Sequence, residues 1–491
     1  MGDLRDRPTG SSIGRRGPGH PAYLKSLDFA RFVAILHIVC FHAFVPTFSF
    51  QSDLNEPFPN RLAWFGWTQI VFFFCLSGFV LGYAKKDSMR DPSSLTELGA
   101  FLFQRLAPMY PVYLLSLIIP TAFCAAQRRV DEGFLKAVGV HAFLLQAWVP
   151  DPLIVNTFLE GGCVLNSPSW FLSTLVPYYF VFPLLVCHLR RVSRGALAAV
   201  ICGCAFVGAG FCLAGVLLGA QGREAVSPFV KFHPASYFHL FTMGVVLSLI
   251  CTPPRAQGRD NSARGLRALY GTFASSSAST CAEEGGTPSL LSSGASQGED
   301  TADPQERQTA REESGSGFCF RDVAALCGYA LFLGLTAVPN RHLFFYGNDG
   351  MFFWFFPMVV AGPFLLIIWG LSGEGSHDPL VALFSLPPLR FLGEISMEIY
   401  LLHTTVRELL LPFVGDVWGH KAEAGIGMGL MRFSGHLCLL IAVAAVCHYA
   451  LTRPVGALLH RMLEKREERQ GEQADVPCAM KGKERRNECV T

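Results

Sequence analysis

Apolar stretches of about 20 residues recur along the chain, separated by short polar or basic segments. A helix needs about that length to cross the hydrocarbon core of a bilayer. The pattern predicts spans at about 27–46, 64–83, 106–126, 170–187, 195–220, 233–251, 321–338, 350–370, 391–413 and 430–451. The expected fold is therefore all-α, a polytopic transmembrane helical bundle of about 10 spans. A shorter apolar stretch at 135–149 either crosses, giving 11, or is re-entrant.

The polar segments divide the chain. Residues 1–25 are rich in Gly, Pro and Arg and read as a disordered cytosolic tail. Residues 26–251 and 321–452 read as two parts of one membrane domain. Between them, 252–320 is rich in Ser, Gly, Glu and Arg, has no hydrophobic period, and reads as a disordered cytosolic loop. Residues 453–491 form a charged tail whose start, Gly456 to Gln470, has helical character. Lys85, Lys86 and Arg90 follow the second span, and Arg190, Arg191 and Arg194 follow the fourth. By the positive-inside tendency these ends, and both termini, are expected in the cytosol. No small-x-small cleavage site follows the first apolar stretch cleanly, so it reads as an uncleaved span.

Composition agrees with a multi-pass integral membrane protein. The 491 residues are 51% hydrophobic and 16% charged, against about 25% charged in soluble chains. The net charge of +2 gives no indication of a nucleic-acid partner. The sixteen Cys are scattered, many within apolar stretches, without the paired CxxC spacing of a zinc site. Most read as small buried hydrophobes, and no metal is expected.

The first span carries ionisable groups that lipid disfavours: Asp28, Arg31, His37 and His42. Each costs roughly 2.5–3.5 kcal/mol at mid-bilayer, so such groups face a protein or water interior. Arg31 and His42 are eleven residues apart, on nearly the same helix face and about 16 Å apart along the axis. His37 points elsewhere. Leu27-Asp28-x-x-Arg31 followed by His42-Ala43 resembles the opening helix of the acyltransferase-3 family of multi-pass membrane O-acyltransferases.

Four further stretches are similar to that family, in its order. Phe73-Phe-Cys-Leu-Ser77-Gly78-Phe79 resembles its second span; read alone, Ser77-Gly78 is a notch admitting another helix. Arg105 matches the first Arg of a basic pair, with Pro108 where the second would stand, ahead of Tyr110-Pro111-x-Tyr113. Alone, Arg105 reads equally as a positive-inside anchor. Asn166, Trp170 and Leu172 match a third motif, with Leu175 at the family's usual Glu position. Alone, Trp170 reads as an interfacial anchor. Gly393-x-Ile-Ser396-x-x-x-Tyr400-Leu-Leu-His403 closely matches the last. Ser396, Tyr400 and His403 recur at i, i+4 and i+7, giving one polar helix face flanked by Glu394 and Glu398. Read alone, that face is equally a hydrogen-bonded seam between helices. His233, in the weaker echo Phe232-His233-Pro234, reads as structural or interfacial.

The resemblance implies transfer of an acyl group, acetyl first among the candidates, from acyl-CoA as co-substrate to a hydroxyl of a carbohydrate, lipid or other small acceptor. It assigns His42 as general base and Arg31 as the group that orients the donor or stabilises negative charge. Arg105 is the candidate for the donor phosphates. Ser396, Tyr400, His403, Trp170 and Asn166 are the candidates for substrate binding. The partners implied are the bilayer, the donor and the acceptor. The competing reading is a membrane transporter or a catalytically inactive relative, since ionisable groups on spans also line solute pathways.

Overall fold

The computed structural model describes residues 24–44, 62–63, 65–85, 94–127, 130–149, 165–220, 232–251, 320–337, 350–373, 379–414, 426–459 and 461–462. The tail 1–23, the loop 252–319 and the tail from 463 lie outside the described residues, and the expectations for them with them. The described residues are helical, with no strands. The helices are α1 (Ser26–Phe44), α2 (Gln69–Lys85), α3 (Leu95–Leu106), α4 (Tyr110–Ala126), α5 (Glu132–Ala142), α6 (Trp170–Leu189) and α7 (Arg194–Ala220). They continue with α8 (Phe238–Cys251), α9 (Phe320–Ala337), α10 (Gly350–Leu371), α11 (Pro379–Phe384), α12 (Pro387–Glu394), α13 (Ser396–Val414) and α14 (Ile426–Cys447).

A helix stands at each of the ten expected positions. Among the described residues, six helices are each long and apolar enough to cross, by length and composition: α1, α2, α6, α7, α9 and α14. A seventh is reached if α3 and α4, bent by 52°, count as one broken span. The bend has a sequence cause, since Pro108 and Pro111 flank the break and proline removes a backbone donor and restricts the residue before it. Helix α8 has only 14 residues, because His233-Pro234 forms a 3₁₀ turn that delays its start. Helix α13 carries Glu398, Arg407 and Glu408, which lower its hydropathy. The stretch 135–149 holds only a short α-helix. Helix α5 has 11 residues, about 16 Å or half a hydrocarbon core, and then turns at Leu144, whose φ is 56°.

Helix α1 is the hub. It packs on α2, α10, α11, α12 and α13. The Ser26 hydroxyl at its start donates to the Leu371 carbonyl at the end of α10, 2.5 Å away. Two backbone approaches fix the neighbours. Helices α2 and α8 cross where Gly78 meets the Phe241 carbonyl and Gly244 meets the Cys75 carbonyl. A side chain on Gly244 would lie 2.9 Å from the Phe79 nitrogen. This crossing is the use of the Ser77-Gly78 notch, and small residues let helices in lipid gain dispersion contacts. Helices α12 and α1 meet where Gly393 lies on the Asp28 backbone. At the periphery, α7 and α14 expose Phe206, Val207, Leu213, Leu439 and Val446, the surface a lipid-facing helix needs.

The cysteines are mixed. Cys75, Cys187, Cys212 and Cys447 are buried, as the composition suggested. Cys124, near the end of α4, is instead disulfide-bonded. It belongs to a small apolar cluster with Leu117, Phe134, Ala137 and Leu165.

Candidate functional site

The distinctive sequence stretches converge on one cavity of about 460 Å³. Its wall takes Asp28 and Arg31 from the start of α1, Ser77 from α2, Arg105 from the end of α3, and Leu175 and Tyr179 from α6. Gly393, Ser396, Tyr400 and His448 close it from α12, α13 and the end of α14. Six stretches far apart in sequence therefore share one space.

Arg31 and Arg105 differ in state. Asp28, one turn before Arg31 and almost fully buried, takes its Nη1 at 2.6 Å. That bond holds the guanidinium in one orientation and offsets part of its charge. Arg105 stacks over the Phe101 ring at 5.8 Å, lies within electrostatic reach of Arg31 and Tyr179, and has no acidic partner among the described residues. A cation without an acid partner on a cavity wall is chemically able to bind an anion.

His42 does not line the cavity. It reaches the cavity through α13. Tyr400 forms part of the wall, its ring lies 6.0 Å from that of His403, and the His403 ring lies 5.0 Å from that of His42. The i, i+4, i+7 face of α13 thus packs on α1, and its last member meets His42. His403 is fixed by Nδ1–H donation to the Tyr400 carbonyl at 2.7 Å; its Nε2 is buried without a partner among the described residues. The Tyr400 hydroxyl donates to the Pro168 carbonyl.

The other expected residues sort by contact. Ser396 is a cavity wall residue. Asn166 is a joint instead: its Nδ2 donates to Ser116 Oγ at 2.6 Å and to the Leu401 carbonyl at 2.9 Å, tying α4 and α13 together at the entry to α6. Trp170 lies against Phe232 and Tyr237, away from the cavity. His37 is fully engaged: its Nε2–H donates to the Leu62 carbonyl at 2.5 Å, and Gln69 Nε2 donates to its Nδ1 at 2.9 Å. His233 caps its own turn through the Ala235 amide.

Tyr179, the aromatic that follows the Asn166–Leu172 motif in the sequence, stands beside Arg105. Two groups at the site escape sequence reasoning. Arg407, one turn beyond His403 on α13, exerts its charge on His42, His403 and His436. His448 joins the cavity wall from α14. Charged residues in apolar stretches were the available signal, but neither periodicity nor spacing tells which helices they face.

Comparisons with known proteins point the same way. The family described as "Acyltransferase domain" (acyltransferase-3) matches residues 24–272, about half of the chain. "Acyltransferase MdmB" of Streptomyces mycarofaciens is 28% identical over 267 residues, which is 52% of this chain and 65% of the relative. The chain therefore spans just under two thirds of that relative's length. "Protein 2 in picA locus" of Rhizobium radiobacter is 32% identical over 157 residues, 29% of this chain and 72% of the relative. No solved structure matches. The Gly393–His403 stretch lies beyond the matched residues, yet it packs on the matched helix α1. The chain belongs to the acyltransferase-3 family.

Proposed function

We propose that the chain is a membrane O-acyltransferase that moves an acyl group, acetyl first, from acyl-CoA to the hydroxyl of a carbohydrate, lipid or other small acceptor. The observation that carries this reading is the meeting of His42 with His403 at one end of α1, while Arg31 at the other end opens on a cavity shared with Arg105. Positive charge at the cavity suits the phosphates of the donor. By the positive-inside tendency, the basic residues at the cavity end favour a cytosolic mouth, on the side of the donor in this reading.

A hydroxyl is a weak nucleophile at neutral pH and needs a positioned base. His42 takes the acceptor proton as the acceptor oxygen attacks the thioester carbonyl carbon. The C–S bond then breaks, and the imidazolium returns its proton to the departing thiolate. Arg31, held by Asp28, orients the donor, and Arg105 takes phosphate oxygens. His403, set by the Tyr400 carbonyl, orients His42 or the acceptor hydroxyl.

The test uses purified full chain in detergent with labelled acetyl-CoA, wild type against His42→Ala. Both proteins should bind donor, and only wild type should transfer or slowly hydrolyse the acetyl group. A folded wild type that binds no donor ends this reading. Movement of a small polar solute across vesicles by that same protein would then favour a carrier.

A further inference from the structure

We propose that Glu398 and His448 build a third cationic contact into the cavity: a carboxylate-held imidazolium that binds a phosphate of the donor. The inference rests on the acyl-CoA reading and adds residues that reading does not use.

Glu398 lies in the first turn of α13 and is 2% exposed. Its Oε1 accepts from His448 Nδ1 at 2.9 Å. Its Oε2 is buried with no partner among the described residues. A buried carboxylate is costly unless it is paired with a cation or hydrogen-bonded, and His448 is the partner the fold supplies. His448 is also the first residue of a π-helical turn, His448–Thr452, inserted into α14 before it resumes to Leu459. A π turn adds a residue to the helix and is frequent at functional sites. Here it begins at the residue that joins the cavity wall.

The geometry divides the imidazole between two tasks. Nδ1 is committed to Glu398, which leaves Nε2 for a ligand. In the imidazolium form Nε2–H is a charged donor, the kind of group that binds phosphate oxygen strongly. The acids on the wall are engaged elsewhere: Asp28 holds Arg31 at 2.6 Å, and Glu394 holds Arg390 at 3.0 Å. Arg31, Arg105 and His448 therefore present three hydrogen-bonding nitrogen groups to one space whose remaining wall includes Phe73, Leu76 and Phe171. That combination fits a ligand with a phosphorylated head and a slender, weakly polar arm. Glu398 does not line the cavity and acts as a positioning residue through His448.

The experiment measures equilibrium binding of two probes to the purified full chain: coenzyme A, which carries the phosphates, and S-acetylpantetheine, which lacks them. Thermal melting establishes that each variant is folded. His448→Ala should weaken coenzyme A binding about 10-fold and leave S-acetylpantetheine within about 2-fold, since a charged hydrogen bond is lost and the arm site is not. Glu398→Leu should follow His448→Ala, because the ring loses its holder. Glu398→Gln keeps an oxygen for Nδ1–H but not the charge that favours the imidazolium, so it should recover only part of the coenzyme A affinity. A merely structural pair would weaken both probes together, and that result overturns the inference. Unchanged coenzyme A binding in His448→Ala overturns it while leaving the acyl-CoA reading standing. A folded wild type that binds neither probe overturns both.

Discussion

Gly393→Ala tests whether the seam between α12 and α1 sets the cavity geometry. A Cβ at this position would overlap the Asp28 carbonyl and lie 2.6 Å from the Asp28 Cβ. Carbon atoms in contact prefer about 3.5–4.0 Å, so the two backbones must part by about 1 Å. Overpacking of this kind costs about 1–3 kcal/mol. The displaced residue is the one that holds Arg31, and a 1 Å misplacement of a positioning group can cost about 10²-fold in rate. The expected outcome is a melting temperature lowered by several degrees and acetyl-CoA-dependent turnover lowered about 10- to 100-fold per folded molecule. Gly99→Ala on α3 is the control. Nothing lies within 4 Å of a Cβ there, and a mid-helix Gly to Ala change should stabilise by about 0.5–1 kcal/mol. The assay pairs thermal unfolding in detergent with donor turnover. If Gly393→Ala melts and turns over like Gly99→Ala, the seam does not set Arg31, and the reasoning fails.

Three further outcomes are expected. His42→Ala should abolish turnover with little change in melting, whereas His37→Ala should lower melting and spare turnover, because His37 spends both nitrogens on Leu62 and Gln69; equal effects on turnover would refute the distinction. Asn166→Ala should destabilise by about 1–3 kcal/mol, since it removes two buried hydrogen bonds that join helices, and a chemical or thermal melt within about 0.5 kcal/mol of wild type would contradict this. His141, on α5 outside the candidate spans, is fully buried, and desolvation lowers its pKa from 6.5 to about 4. The folded state thus binds its proton less readily than the unfolded state, so stability should fall as pH drops from about 6.5 to about 4, by up to about 3 kcal/mol. Melting scans across that range should show a steeper slope in wild type than in His141→Phe, and parallel slopes would refute the assignment.

Much of the site was legible because it is written in short-range patterns. The eleven-residue spacing of Arg31 and His42 needs only helix geometry, and the polar face Ser396–Tyr400–His403 needs only the 3.6 period. Both faces are directed inward, as lipid requires of polar groups. What could not be read is which faces meet. Nothing local to α1 or α13 says that His42 and His403 come within 5.0 Å, or that His448 lines the same cavity as Arg31 from more than four hundred residues away in sequence. Those meetings depend on crossings such as Gly393 on Asp28, where a missing side chain is the determinant. The span count was read less well for a related reason. Apolar composition marks where helices lie, but the turn at Pro234, the bend at Pro108-Pro111 and the charges of α13 decide which of them is long and apolar enough alone. Asn166 shows the converse error of emphasis. A polar residue in a matching motif suggested ligand contact, and its hydrogen bonds show a joint among helices.

Helix α1 runs unbroken from Ser26 to Phe44, which makes it a ruler. Arg31 and His42 are marks on one rigid rod, so their separation is not set by loops or adjusted by side-chain packing. Substitutions between them alter what the rod touches but leave the gauge intact. A single residue inserted among 32–41 would turn one mark by about 100° relative to the other and carry it off the shared face. Adding a whole turn would restore the face and lengthen the gauge by about 5.4 Å. Under the proposed mechanism, register, more than the identity of any intervening side chain, would then fix how far a molecule anchored at the arginine end must extend to present its reactive carbon at the histidine end.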